Sequence, residues 1–236
     1  MQLRRPRRPG REKISDPAAH ADRYGTGPFQ VTEERDLWGG YARHYTTTAQ
    51  FGTVDGVRWY NNCGPTAVTN LLSMVRRRTL RPEAGPKEDA ALYGRVARFG
   101  VRGLYYFNLN GRLIHGTSDL RAGRYISRTA FRALGVRPKI RFLSVTEKNL
   151  RRALDEGDLL YLLLRNHPEY RDHHVVGYGY VAVKSETTGE TRFYLKVSDG
   201  HADAPRYLDL SDLTGRLRFF YAVRFPPAPY GAGSAR

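Results

Sequence analysis

The sequence predicts an α+β protein in which a helical lobe, led by a cysteine-bearing helix, packs on a C-terminal antiparallel β-sheet lobe. Three observations predict this. Ala67, Val68, Leu71, Leu72 and Val75 recur at helical spacing directly after Cys63-Gly64-Pro65. Two further segments before residue 135 carry the same period. Beyond residue 136 the pattern becomes a series of short Val-, Leu- and Tyr-rich runs, and Thr187-Thr188-Gly189-Glu190 between two of them reads as a hairpin turn.

In chain order, residues 1–24 are charged and rich in Pro, Gly and Ala, and read as a flexible basic arm. Glu33 to Ala42 is mixed, with Trp38-Gly39-Gly40 suggesting a turn beside an anchoring aromatic. Tyr45 to Phe51 is Thr-rich and reads as a short strand. Val54 to Val57 reads as a turn leading to Cys63. Pro65 suits the first turn of a helix, where its missing N–H is not needed, and Arg76, Arg77 and Arg78 suit the C-terminal end. Lys87 to Phe99 carries the second helical pattern. Leu104 to Leu113 is aromatic and Asn/Gly-rich, and reads as a loop facing a cleft through Tyr105, Tyr106, Phe107, Asn108 and Asn110, or as an aromatic contact between lobes. Ser118 to Leu134 carries the third helix, with Ser118 as cap and Gly135 as terminator.

The sheet half begins with a strand over Pro138 to Val145. A short helix follows, capped by Thr146 and ending near Gly157. Leu159 to Leu164 is continuously apolar, as in a buried strand. His173 to Val183 and Arg192 to Val197 read as two strands joined by the hairpin, and Tyr207 to Leu210 and Leu217 to Phe225 supply more. Residues 226–236 read as a loose tail. One domain over 25–225 is therefore expected, helical over about 57–135 and sheet over about 136–225.

Composition narrows the function classes. The chain has 236 residues, 40 % hydrophobic and 26 % charged, which suits a globular domain with a substantial core. A single cysteine excludes an intramolecular disulfide and any zinc site drawing two cysteines from one chain. No apolar run approaches the roughly 20 residues that span a bilayer, so no membrane span is expected. No secretory signal is seen at the N-terminus, so the expected location is cytoplasmic, or secreted by another route. The net charge is +16; without Met1 to Lys13 the remainder still holds 33 Lys/Arg against 22 Asp/Glu, or +11. That charge points to an acidic partner, or reflects a general arginine enrichment. Gly177-Tyr178-Gly179 lacks the rest of a dinucleotide fingerprint, and the short Asp199–Asp203 cluster reads as a polar turn. No cofactor and no metal are expected.

Three segments carry chemistry. Cys63 sits at a helix start, where free N–H groups favour a thiolate nucleophile; alternatively it is a small buried hydrophobe. Asp172-His173-His174 opens one strand. Asp199 closes the strand returning from the hairpin, so a histidine and Asp199 can meet across the pair. A thiol brought to that imidazole makes a nucleophile, base and orienting carboxylate.

Asn62-Cys63-Gly64-Pro65-Thr66-Ala67 resembles the nucleophile motif of papain-like cysteine peptidases, closest to their bacterial branch of staphopain-like and bacteriocin-leader-processing peptidases. His173-His174-Val175-Val176-Gly177-Tyr178-Gly179-Tyr180 is similar to that superfamily's histidine strand. The six-residue step from histidine to Gly-Tyr implies His173 as the catalytic histidine, with His174 as the alternative base. The segment around Asp199 is similar to the strand end that carries the family's Asn or Asp. The resemblance covers roughly Val57 to Phe225 and implies a papain-like fold, a peptide or protein substrate, and a Cys63–His173–Asp199 triad working through a thioester acyl-enzyme. The family's oxyanion glutamine, about six residues before the cysteine, is replaced by Val57. Gln50, Asn61 or Asn62 are the candidates for that role, Gln50 preferred. Two other readings stand beside the peptidase: a non-catalytic basic binding module on the same fold, and a transglutaminase-like acyltransferase.

Overall fold

The structure is a computed structural model that describes residues 13–25, 27–42, 44, 46, 53–54, 57–58, 61–108, 115–213 and 219–227. In chain order the elements are α1 (Pro17–Asp22), β1 (Phe29–Arg35), β2 (Thr53–Val54), β3 (Val57–Arg58), α2 (Cys63–Thr79), α3 (Pro86–Arg102), β4 (Tyr106–Asn108), β5 (His115–Thr117), α4 (Ala122–Leu134), β6 (Lys139–Ser144), α5 (Glu147–Asp155), β7 (Leu159–His167), β8 (Arg171–Ser185), β9 (Thr191–Ser198), β10 (Arg206–Asp209), α6 (Leu210–Leu213) and β11 (Phe219–Arg224). The α+β class is as expected, with the Cys63 helix against an antiparallel sheet.

The main sheet runs β10-β9-β8-β7-β11-β6, and β1 pairs with β8 outside that order. β8 is its spine. Its first half pairs with β7, from Leu164↔His173 to Leu160↔Gly177. Its second half pairs with β1, from Arg35↔Tyr180 to Phe29↔Ser185. β9 follows its other edge from Val176↔Ser198 to Lys184↔Thr191, with a register shift between Gly177 and Gly179. A side chain at Gly179 would put its Cβ 2.5 Å from the Arg35 carbonyl oxygen. Glycine there lets the end of β1 approach β8 as β7 leaves it.

Strand alternation gives the sheet two apolar faces. Tyr161, Val176, Tyr178 and Val223 face the first helical layer, where Val68, Leu71 and Leu72 of α2 meet Leu92 of α3 and Tyr125 and Ile126 of α4. Leu162, Leu164, Val175 and Phe220 face the other way, against Leu150 and Leu154 of α5 and Leu210 and Leu213 of α6. Helix α2 lies between sheet and helices and is buried continuously from Gly64 to Arg76. Arg76 is tolerated there because its guanidinium pairs with the buried Asp89 carboxylate at 2.8 Å.

Several expectations need correction. Residues 17–22 form a helix rather than part of a flexible arm: Asp16 accepts from the Ala18 and Ala19 amides (3.0 and 3.1 Å) and Ala21 is fully buried. Ile14 adds a bridge to Tyr207. Residues 1–12 and 228–236, the rest of the expected arm and tail, lie outside the described residues, as does nearly all of the expected strand at 45–51. β1 leaves no mark in the pattern of the chain because its exposed edge is mostly polar, and only its pairing to β8 makes it a strand. Trp38 anchors its turn as expected, donating through Nε1 to the Gly157 carbonyl at 3.1 Å. Tyr105 and Tyr106 are core residues rather than cleft lining: Tyr105 stacks on Tyr125 with ring centroids 5.4 Å apart, and Tyr106 is buried beside Tyr93. Asn110 lies outside the described residues. The helix expected from Ser118 starts as a 3-10 turn over Asp119–Arg121 and becomes α-helical at Ala122; the Ser118 side chain makes no cap bond. Gly135 does end it, in the left-handed region at φ 72°.

Replacing Gly179 tests the β8 spine. Gly179→Ala pushes a methyl against backbone that has no room to yield, and is expected to lower stability by about 2 kcal/mol. Gly40→Ala, where nothing lies within 4 Å of the added atom, serves as the control and should stay within roughly 0.5 kcal/mol. Urea denaturation of both variants checks this.

Candidate active site

Cys63 is the first residue of α2. The chain enters the helix through Asn61, held at φ 44°, so that the turn brings Cys63 to the end of a wide cavity. Gly64 follows because β5 passes against the first helical turn, and any side chain at 64 would collide with Thr117. The Cys63 sulfur lies 4.0 Å from the Asn61 carbonyl oxygen. Burial raises its pKa above the ordinary thiol value, while the amides of His174, Gly64 and Cys63 itself oppose the rise.

The cavity, about 920 Å³, opens at the ends of β7 and β8. Cys63, Thr117, Asp119, Arg165, Asp172 and His174 line it on the α2 side; His167, His173 and His201 line it elsewhere. Alternation separates the two histidines. His174 pairs with Leu163 and lies on the face of Tyr161 and Val176, the face that α2 covers; its ring is 5.3 Å from that of Tyr161. His173 pairs with Leu164 on the opposite face. There its Nε2–H donates to the Asp199 carbonyl oxygen at 2.6 Å, and its ring stacks on Tyr170 and lies 4.3 Å from that of His201.

The expected triad is therefore not assembled. Cys63 and His174 share one face, while His173 and Asp199 meet on the other, through a backbone carbonyl and not through the carboxylate. The Asp199 carboxylate is engaged elsewhere: it accepts from the His201 and Ala202 amides (2.9 and 3.0 Å) and from Tyr170 Oη (3.0 Å), with Lys13 at 3.5 Å. Burial works against its charge, yet those amides, Lys13 and Tyr170 hold its pKa below the usual carboxylate range. It shapes the turn after β9. Of the oxyanion candidates, Gln50 lies outside the described residues, Asn61 lines the cavity, and Asn62 donates through Nδ2 to Tyr93 Oη at 2.9 Å.

Two residues that sequence reasoning passed over stand on the Cys63 side. Asp172 accepts from the Asn166 amide and from Arg165, both at 2.9 Å, and these contacts hold its pKa low. Arg165 also pairs with Asp119, tying β7 to the turn before α4. Asp172 carried a legible signal, since residues two apart on a strand share a face and it precedes His174 by two.

Burial sets the charge state here. It pushes the pKa of His174 down to about 3, with the nearby His173 and Arg165 adding to the fall and Asp172 opposing it. Burial also lowers His173 to about 4. Both imidazoles are neutral at pH 7, and a thiol above its usual pKa is protonated beside them. Among the described residues, three buried polar atoms near Cys63 have no hydrogen-bond partner: His174 Nδ1, Thr117 Oγ1 and Tyr161 Oη.

Two outcomes follow from these shifts. Alkylation of Cys63, the only thiol, should be slow near pH 6 and rise only above the free-thiol range of about 8.5, as read by intact mass. A histidine whose folded pKa lies below its unfolded value of about 6.5 penalises folding as pH falls through that value. At pH 5 each of His173 and His174 then costs about 2 kcal/mol. His174→Leu should consequently gain stability relative to the parent between pH 8 and pH 5, as measured by urea midpoints at the two pH values.

No protein-family model matches the chain, and no curated protein matches it. Among solved structures the chain is similar to UfSP from C. elegans, with a TM-score of 0.39 and 13 % sequence identity. The match covers 86 % of this chain and 35 % of that one, so this chain spans about a third of that protein's length.

Proposed function

We propose that this chain is a thiol-dependent acyl-transfer enzyme, a papain-like cysteine peptidase acting on peptide or isopeptide bonds. One observation carries the reading. The only cysteine begins a buried helix at the edge of a 920 Å³ cavity, and a histidine on the strand beneath it faces the same side, its amide N–H directed at the sulfur. This supports His174 rather than His173 as the base.

In this reading Cys63 Sγ attacks the carbonyl carbon as its proton passes to the His174 imidazole, and the carbonyl π electrons move to oxygen. The Cys63 amide N–H, in the first helical turn where it has no intrahelical acceptor, donates to that oxyanion, with Asn61 and Asn62 beside it. Collapse breaks the C–N bond, and the imidazolium returns its proton to the leaving amine. Water then attacks the thioester carbonyl as His174 takes its proton; collapse breaks the C–S bond, and the imidazolium returns that proton to Cys63 Sγ as the acid leaves. Asp172 stabilises the imidazolium that forms at each step. Its contact with Arg165 holds it on the correct face. Both reactants begin neutral, so the proton moves during attack and no ion pair precedes it.

The test is a kinetic comparison on a quenched-fluorescence peptide library, with an electrophilic peptidyl ketone to trap Cys63. Cys63→Ala and His174→Ala should each lower kcat/KM at least about 10³-fold with the fold retained. Asp172→Asn should lower it about 10- to 100-fold. His173→Gln, which touches only the opposite face, should change it less than about 10-fold. Activity surviving Cys63→Ala would overturn the proposal, and loss with His173→Gln but not His174→Ala would return the base to His173. An added amine acceptor separates hydrolysis from transfer.

A further inference from the structure

A second feature lies on the helical layer and owes nothing to Cys63. Residues 90–137 contain nine arginines and one acidic residue, Asp119, a net +8 that is half the charge of the whole chain. The eight of these arginines that are described are all exposed. On α3, Arg95, Arg98 and Arg102 share an exposed face, opposite the buried Tyr93, Ala97 and Gly100. On α4, Arg124, Arg128 and Arg132 continue a row begun by Arg121, opposite Tyr125 and Ile126. Among the described residues, no carboxylate pairs with Arg95, Arg102, Arg124, Arg128, Arg132 or Arg137. Like charges at this spacing destabilise a helix, and for those six arginines no carboxylate among the described residues offsets that cost.

Between the two helices runs a groove of about 240 Å³. Phe99 and Ala133 floor it, and Arg95, Arg98, Arg102 and Arg132 rim it. The Arg132 guanidinium lies over Phe99 at 4.4 Å, and Arg137 lies over the half-exposed Phe131 at 4.6 Å. A guanidinium held on an aromatic ring offers a fixed fork to a phosphate and a flat surface to a base. Aromatic platforms interleaved with a row of arginines are how proteins hold single strands without reading sequence. An acidic peptide would use the charge but not the stacked planes.

We infer that the α3–α4 groove is a binding site for single-stranded nucleic acid, engaging phosphates through its rim arginines Arg95, Arg98, Arg102 and Arg132 and, beyond the groove, through the α4 row that leads away from Arg132. The α4 row is about 20 Å long, room for several nucleotides. Its first member, Arg121, is two residues from Asp119, which lines the Cys63 cavity. The row thus ends near the mouth of the cleft.

The experiment is fluorescence anisotropy of the full chain with fluorescein-labelled dT20 and rU20, from 50 to 200 mM salt. Saturable binding is expected at 50 mM. The triple variant R95Q/R102Q/R132Q should loosen Kd at least 10-fold. It should also flatten the log–log salt slope by about 2, since each phosphate left unneutralised on a single strand removes roughly 0.7. The charge-matched variant K148Q/R152Q/K184Q, on α5 and the far half of β8, should change Kd less than 3-fold. Unchanged melting temperatures confirm that both variants fold. Absence of binding at 50 mM overturns the inference. Equal weakening by the two triples does so as well, since net charge alone then explains binding. Displacement of dT20 by poly-glutamate or by phosphatidylserine vesicles at matched charge would give the groove to an acidic peptide or a membrane surface instead.

Discussion

The packing of α2 across β7 and β8 is the contact on which the rest of the molecule depends. The helix is buried from Gly64 to Arg76, so its position is set to within a rotamer by the Tyr161, Val176 and Tyr178 face beneath it. That contact decides where Cys63 ends up, because a helix held along its length has no freedom at its first residue. It also explains the local sequence. Gly64 is small because β5 passes there, and Pro65 occupies a first-turn position that needs no N–H. Arg76 is charged yet enclosed because Asp89 meets it on the neighbouring helix.

The strand beneath this helix is under a second constraint. β8 is shared between β7, β1 and β9, and it changes partner along one edge near Gly177 and Gly179. The glycines serve that exchange of partners. Their place in a motif that resembles a family pattern is thus also a place where backbones crowd. The same strand divides its two histidines between separate environments. One joins the thiol beneath a helix start; the other joins an aromatic and histidine stack around the Asp199 turn, where a carbonyl oxygen accepts a hydrogen bond from its Nε2–H. Both are desolvated, and both stay neutral for that reason, but only the first lies on the side of the thiol.

The proposed catalytic and nucleic-acid-binding surfaces occupy different parts of the helical layer. The thiol depends on the buried side of α2, the arginine rows on the exposed sides of α3 and α4. Their separation allows high positive charge on one surface while the acid–base chemistry of the other is governed by burial. Arg165 lines the cavity mouth, and it is neutralised by Asp119 and Asp172.

Period and punctuation in the chain determined much of this. The helices at Cys63, Lys87 and Thr146, the Gly135 stop, the buried strand at Leu159 and the hairpin at Thr187 are local features, and local apolar spacing and turn chemistry suffice to set them. So is the placement of Cys63 at a helix start. Tertiary structure decided what spacing cannot carry. β1 is a strand only because β8 offers it an edge. Tyr105 and Tyr106 are core only because α3 and α4 close over them. Above all, the choice between His173 and His174 rests on which face of β8 the helix covers. Neighbouring strand residues point to opposite sides, so a count of six residues to Gly-Tyr places a histidine along the strand but does not say which side α2 will occupy. Only the packed sheet supplies that, and with it the neighbours, Asp172 on one side and Asp199 on the other, that set each histidine's chemistry.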